Sequence, residues 1–82
     1  MKARFHAKWC MPCKAMEATL KTNDLLDKFD AHYDVEEEAE LAHKLGVRGI
    51  PALIDYDPET LKINKSVVGN AKIEDIKEFL ES

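Results

Sequence analysis

Two cysteines three positions apart carry the most reactive chemistry in this sequence. Cys10 and Cys13 are the only cysteines among its 82 residues. A bond between them would close a very short loop, so it would not tie distant parts of the chain together as the disulfides of small secreted domains do. Thiolates are nucleophiles and metal ligands, so the pair indicates either thiol–disulfide exchange or half of a metal site. A zinc site would need two further ligands, and the sequence has no second cysteine pair and no closely spaced histidine pair.

The position of the pair at a predicted helix start gives the two cysteines different roles. Cys13, Met16 and Leu20 recur at helical spacing, and a proline in the first turn does not oppose a helix that begins near Cys10. The unsatisfied N–H groups and the positive dipole end of that helix stabilise a thiolate at Cys10. Cys13, one turn further, is expected to face the core and remain a thiol. Cys10 would then attack a substrate disulfide, and Cys13 would attack the resulting mixed disulfide.

Charge limits the classes of partner. The chain has 12 Lys and Arg against 16 Asp and Glu, a net charge of −4, which gives no broad basic surface for a nucleic acid. The first 22 residues are nevertheless cationic, and Lys8 and Lys14 flank the cysteines. These lysines either favour the Cys10 thiolate or are simply a solvated face, on which Glu17 and Lys21 form a helical pair. With no long apolar run for a membrane or a signal peptide, a cytoplasmic protein is expected.

Apolar periodicity predicts seven elements in the order βαβαββα. The predicted strands run from Lys2 to His6, from Phe29 to Val35, from Pro51 to Tyr56 and from Leu61 to Val68. The predicted helices begin near Cys10, at an Asp34 cap with Glu37 as its partner, and at an Asn70 cap, and the second ends at Gly46. Strands joined through a helix run parallel, and a hairpin makes the last two antiparallel. The expected fold class is α/β, one domain over residues 1–82 with a mixed four-stranded sheet and three helices.

Three segments, in order, resemble the thioredoxin superfamily. Residues 7–14 (AKWCMPCK) resemble its active-site segment, residues 46–53 (GVRGIPAL) resemble the segment that ends in a cis-proline, and Val68-Gly69 precedes a similar final helix. The resemblance implies a minimal thioredoxin fold, like that of the small thioredoxin- or glutaredoxin-like proteins of archaea and phages. It also implies a thiol–disulfide oxidoreductase that reduces protein disulfides through the Cys-Met-Pro-Cys centre, with no bound cofactor besides the redox-active disulfide.

The same resemblance implies a substrate groove around Cys10. A cis Ile50–Pro51 bond would pack against the disulfide and present the Ile50 backbone to an extended substrate chain. The expected groove residues are Trp9, Gly49, Ile50, Pro51 and Gly69. The partners implied are disulfide-containing proteins and an NADPH-dependent thioredoxin reductase, with the protein itself a monomer.

Departures from the family pattern affect proton transfer and redox tuning. Arg4 stands where thioredoxins have a buried aspartate, and it can favour a thiolate at Cys13 but cannot act as a base at neutral pH. His6, at the end of the first strand, is either a proton acceptor in place of that acid or an ordinary strand residue. Met11 and Pro12 separate the cysteines and tune their reactivity. His32 and His43 are expected to lie away from Cys10.

Two alternative functions remain open. A glutaredoxin-like, glutathione-dependent reductase is disfavoured by the residues between the cysteines and by a single Gly69 where glutaredoxins have Gly-Gly, although Glu74 and Asp75 follow as acidic residues do there. A binding module without redox turnover would use the same Trp9-lined groove. Dependence of the activity on Cys10 separates the redox functions from the binding module.

Overall fold

The computed structural model describes residues 1–82. Its strands are β1 (Lys2–His6), β2 (Ala31–Asp34), β3 (Ala52–Tyr56) and β4 (Ile63–Val68). Its helices are α1 (Met11–Thr22), α2 (Ala39–Lys44) and α3 (Ile73–Glu81), and a short 3₁₀ helix spans Leu26–Lys28. The order βαβαββα confirms the prediction. None of the helices has the length and apolar character needed to cross a bilayer.

The four strands form one mixed sheet in the order β2-β1-β3-β4. β1 and β2 are parallel, whereas β3 is antiparallel to both β1 and β4. The crossover through α1 and the hairpin between β3 and β4 therefore run as the sequence predicts. The pairing of β1 with β3 places the strand that leads into Cys10 in the middle of the sheet.

One apolar cluster packs against each face of the sheet. Phe5 and Ile54 pack with Ala42 and Leu45 of the α2 segment on one face, and Leu53 packs with α1 and α3 residues on the other. The α1 and α3 side chains in that second cluster are Met16, Leu20, Ile76 and Phe79. Arg4 lies directly opposite Leu53 in the β1–β3 ladder, so it shares the face that α1 covers. Alternation along β1 puts His6 on that face too.

The start of the second helix was predicted wrongly. The helix begins at Ala39 after Glu38, and residues 35–38 form turns. Asp34 belongs to β2, and its Oδ1 accepts a hydrogen bond from the Glu36 N–H at 2.8 Å. The Asp34 carboxylate therefore closes a turn with the N–H group two residues later. A helix cap would use the same carboxylate as its acceptor.

Three other element boundaries also differ from the prediction. Phe29 follows the 3₁₀ helix and is buried in the α1–α3 cluster before β2 begins. Leu61 has a left-handed φ of 62° and closes the hairpin loop, so β4 starts two residues later. The last helix is preceded by Lys72 rather than capped by Asn70, and Glu74 and Asp75 in its first turn complement the helix dipole.

Candidate active site

Cys10 and Cys13 form a disulfide at the N-terminus of α1, with their Cα atoms 5.2 Å apart. Cys10 is the N-cap residue, with the extended backbone that this position favours, and its Sγ accepts a hydrogen bond from the Cys13 N–H at 3.1 Å. Pro12 occupies the first turn, and no acidic residue lies there to oppose negative charge on sulfur. A thiolate at Cys10 would therefore face a backbone N–H and the positive end of the helix.

The two sulfurs are buried against a small apolar wall. Cys10 is 5% exposed and Cys13 is 2% exposed, and both pack with Ala7, Val35 and Ile50. The Ile50–Pro51 peptide bond is cis, and the Pro51 side chain is fully buried. Ile50 thus lies against the disulfide although it is far from the cysteines in the sequence.

The glycines of the expected groove lie beside this wall. The Gly69 N–H donates a hydrogen bond to the Pro51 carbonyl oxygen at 2.8 Å, which fixes the end of β4 next to Pro51. A Cβ atom on Gly49 would lie 3.2 Å from Val68 Cγ1, so Gly49 and Val68 are in close contact. Ile50, Pro51, Gly49 and Gly69 therefore form one contiguous region at the ends of β3 and β4.

Three large apolar side chains near the disulfide are exposed to solvent. Trp9 is 66% exposed, Met11 is 70% exposed and Val68 is 62% exposed. Trp9 and Met11 directly flank Cys10 in the sequence, and Val68 contacts the groove at Gly49. Burying such side chains against a partner is favourable, so the rim of the site is suited to protein contact.

Arg4 is a buried cation held by two neighbours. Its side chain is 3% exposed, its Nε donates a hydrogen bond to His32 Nδ1 at 2.9 Å, and its Nη2 lies 3.5 Å from Glu17 Oε1. Because Nδ1 of His32 accepts this bond, the ring proton sits on Nε2, which donates to the Leu26 carbonyl oxygen at 2.8 Å. Burial lowers the pKa of Arg4, and Glu17 partly offsets that effect.

A cavity of about 330 Å³ lies beneath Cys13, between β1 and α1. Its titratable lining residues besides Cys13 are Arg4, His6, Lys8, Lys14 and Glu17. The structure therefore brings four of the expected tuning residues, Arg4, His6, Lys8 and Lys14, to one space, whereas Met11 is exposed to solvent. Burial lowers the pKa of His6, and Arg4 acts in the same direction.

Sequence reasoning did not identify Glu17 and His32 as the partners of Arg4. Glu17 was predicted to pair with Lys21 on a solvated helix face, but it pairs with Arg4. Its position one turn after Cys13 on α1 is the signal that would have found it. His32 was predicted to lie away from the site on a polar strand face, but it binds Arg4, because the parallel register sets His32 beside Arg4. No group of three or more metal-ligating side chains is assembled to hold an ion.

Comparisons with known proteins agree with this geometry. The thioredoxin family model matches residues 2–82. A thioredoxin from Aspergillus fumigatus is 28% identical over 82 residues, which are 95% of this chain and 72% of that protein. A mutant thioredoxin from Halobacterium salinarum is 32% identical and superposes with a TM-score of 0.75 over 98% of this chain and 70% of that one. The Nicotiana alata thioredoxin is 30% identical, with a TM-score of 0.75 and the same coverages.

The Cys10–Cys13 disulfide indicates which reaction the family match implies. A Cys-x-x-Cys pair that caps a helix can alternate between dithiol and disulfide without a bound cofactor. Thioredoxins typically act on proteins that carry disulfides. With the family model matched over residues 2–82 and the Cys10–Cys13 disulfide at the head of α1, this chain belongs to the thioredoxin family and is a dithiol–disulfide oxidoreductase.

Proposed function

We propose that this protein reduces disulfide bonds in other proteins, with Cys10 as the nucleophile and Cys13 as the resolving thiol. The hydrogen bond from the Cys13 N–H to Cys10 Sγ carries the assignment, because it singles out the sulfur at the helix N-terminus for stabilisation as a thiolate. Both cysteines are buried, at 5% exposure for Cys10 and 2% for Cys13, so position at the helix N-terminus rather than exposure distinguishes them.

The reaction transfers two electrons in two exchanges. The Cys10 thiolate attacks one sulfur of the substrate disulfide, forms a mixed disulfide and releases the first substrate thiolate. Cys13 loses its proton and attacks Cys10 Sγ, which forms the Cys10–Cys13 bond and releases the second substrate thiolate. The substrate is reduced by two electrons, and the protein is left in its disulfide form.

The proposed substrate is an extended segment of protein that carries a disulfide. The exposed side chains of Trp9, Met11 and Val68 support apolar contact, and Gly49 and Gly69 support close approach of a substrate backbone beside Ile50. Met11 lies between the cysteines, where its long side chain would contact the bound segment.

Each turnover consumes the dithiol, so the function needs an electron donor. We propose an NADPH-dependent thioredoxin reductase in the cytoplasm, where dithiols are kept reduced. A reduction potential of about −270 mV for the Cys10–Cys13 pair would support this direction of flow, whereas a value above about −180 mV would indicate a disulfide donor or isomerase. Equilibration against glutathione buffers, followed by alkylation of the free thiols, measures it.

Serine variants of the two cysteines test the assignment. Cys10→Ser is expected to abolish reduction of a protein disulfide such as those of insulin. Cys13→Ser is expected to accumulate mixed disulfides with the substrate that dithiothreitol releases. Ala15→Ser, on an exposed position of α1, is the matched control and should leave the rate unchanged. Activity that persists in Cys10→Ser would refute the proposal, and adducts through Cys13 rather than Cys10 would reverse the two roles.

The electron donor is tested separately from the chemistry. The protein is first cycled with NADPH and a thioredoxin reductase, then with glutathione and glutathione reductase at equal NADPH. Turnover with the first system alone supports a thioredoxin-type donor. Turnover with the second alone would assign the protein to glutathione-dependent reduction.

A further inference from the structure

Cys13, but not Cys10, opens onto the cavity beneath α1. The cavity volume of about 330 Å³ has room for several water molecules, each of which occupies about 30 Å³ in the liquid, and charged or titratable side chains in its lining offer them hydrogen-bond partners. Arg4, His6 and Glu17 line this cavity and also line a larger surface cleft of about 820 Å³. These three side chains are therefore shared by the cavity at Cys13 and the larger cleft.

The resolving step requires a proton acceptor at this place. Cys13 must lose its proton to attack Cys10 Sγ, because the thiolate is the nucleophile in disulfide exchange. Arg4 has no acceptor atom, and the lysines at the cavity are cationic at neutral pH. The remaining acceptors are His6 and Glu17, and one oxygen of the Glu17 carboxylate, Oε1, already pairs with the Arg4 guanidinium at 3.5 Å.

We propose that His6 accepts the proton of the Cys13 thiol in the resolving step, across the cavity that both residues line, with Arg4, held by Glu17 and His32, as a positioning residue on the same strand face. This inference rests on the proposed function. The proton passes to His6 directly or through water in the cavity, Cys13 Sγ bonds to Cys10 Sγ, and the Cys10–substrate bond breaks. The released substrate thiolate carries the electron pair, and the imidazolium returns its proton to solvent through the larger cleft.

The surroundings of His6 favour a neutral imidazole at pH 7. Burial lowers the pKa of His6, Arg4 on the same strand face lowers it further, and the carboxylates of Asp34 and Glu17 oppose the shift. An imidazole that is neutral at the working pH is a competent general base. The titratable and charged groups facing His6 or its cavity are Arg4 on β1, His32 and Asp34 on β2, Cys13, Lys14 and Glu17 on α1, and Lys8 before α1.

Single-turnover kinetics with dithiodipyridine tests the proposal. The reduced protein releases one pyridinethione when Cys10 attacks and a second when Cys13 resolves the adduct, so the two absorbance phases separate the steps. In the unsubstituted protein, the second rate should rise with pH and level off above the pKa of His6, below pH 6.5. His6→Asn should slow the second phase at pH 7 by about tenfold or more and keep the first phase within about twofold. His43→Asn, on α2, is the matched control and should change neither phase.

The pH profile distinguishes a proton acceptor from a merely structural residue. In His6→Asn the second rate should keep rising about tenfold per pH unit through neutrality, because only the ionisation of Cys13 itself then controls it. Arg4→Met should move the levelling-off to higher pH and raise the pKa of His6 in an NMR titration, and Arg4→Lys should keep both near their original values.

Two results would overturn the inference. One is a second phase in His6→Asn that keeps its rate and its levelling-off. The other is a loss of the levelling-off in Glu17→Gln but not in His6→Asn, which would make the carboxylate the base. Absence of both phases in the unsubstituted protein would instead refute the proposed redox function, so the two failures are distinguishable.

Discussion

Replacing Gly69 with alanine, and comparing the variant with the same replacement at Gly46, distinguishes a loss of folding stability from a loss of activity. Gly69 has a φ of 87° and Gly46 has a φ of 71°, and a Cβ atom built on either residue would meet nothing within 4 Å. The cost of each alanine is therefore the left-handed backbone alone, about 1–2 kcal/mol. The reduced entropy of the unfolded chain returns about 0.4–1 kcal/mol. Gly69→Ala and Gly46→Ala should each lower the free energy of unfolding by about 1 kcal/mol.

The two substitutions should differ in their effect on activity. The Gly69 N–H holds the Pro51 carbonyl oxygen at 2.8 Å beside the proposed groove, whereas Gly46 ends the α2 segment. If the loop at residue 69 relaxes to relieve its strain, it loses that hydrogen bond, worth about 1 kcal/mol. If the groove must re-form that hydrogen bond to bind its substrate, the same energy lowers kcat/KM for a protein disulfide about fivefold. Gly46→Ala should leave kcat/KM unchanged.

Thermal unfolding and insulin reduction measure the two effects side by side. About 1 kcal/mol corresponds to a fall in Tm of about 4–8 °C for a chain of this size. Equal losses of activity in the two variants would show that the Gly69 effect is one of stability alone. A loss well above 2 kcal/mol in either variant would contradict the open surroundings from which the cost was worked out.

Three further predictions concern the rim of the site, the core and alkaline pH. Trp9→Ala should raise KM for protein disulfides several-fold while leaving Tm unchanged, because the side chain is 66% exposed; steady-state kinetics and thermal unfolding check this. Leu53→Ala, at a fully buried position, should cost about 2–5 kcal/mol, measured by urea titration, and a loss below 1 kcal/mol would contradict its packing. Burial raises the pKa of Tyr56 to about 12, with Tyr33 acting in the same direction. Its contribution to stability is thus complete below pH 10 and is lost as pH rises towards 12, and Tyr56→Phe should flatten the fall in Tm across that window.

The elements fixed by local patterns were predictable. The helix that begins after Cys10 follows from the apolar spacing of Met16 and Leu20 and from a proline that is tolerated only in a first turn. The parallel β1–β2 pair follows from the helix that joins them. The capping pattern at Asp34 misled because a short acidic side chain can close a turn or cap a helix with the same oxygen, and only the tertiary structure decides between them.

The group of residues in the proposed proton transfer (Arg4, His6, Glu17 and His32) was only partly predictable. Arg4 was a candidate because it stands where thioredoxins have a buried aspartate, and His6 because it ends the strand before the active-site loop. Their contacts with Glu17 and His32 depend on strand register and on how α1 lies across the sheet, and a single sequence does not specify either. Glu17 in particular satisfies the spacing of a solvent-exposed helical pair, so its local pattern pointed to a different partner.

Because β1 lies in the middle of the sheet, the surroundings of the two cysteines are completed late during synthesis of the chain. During synthesis the ribosome releases Cys10 and Cys13 long before Ile50, Pro51 and Gly69. β3 must be inserted against β1, a long-range pairing that closes slowly, before the wall beside the sulfurs exists. A nascent chain therefore exposes two ordinary thiols without a substrate groove. The proposed substrate groove is therefore complete only when the last parts of the sheet have docked.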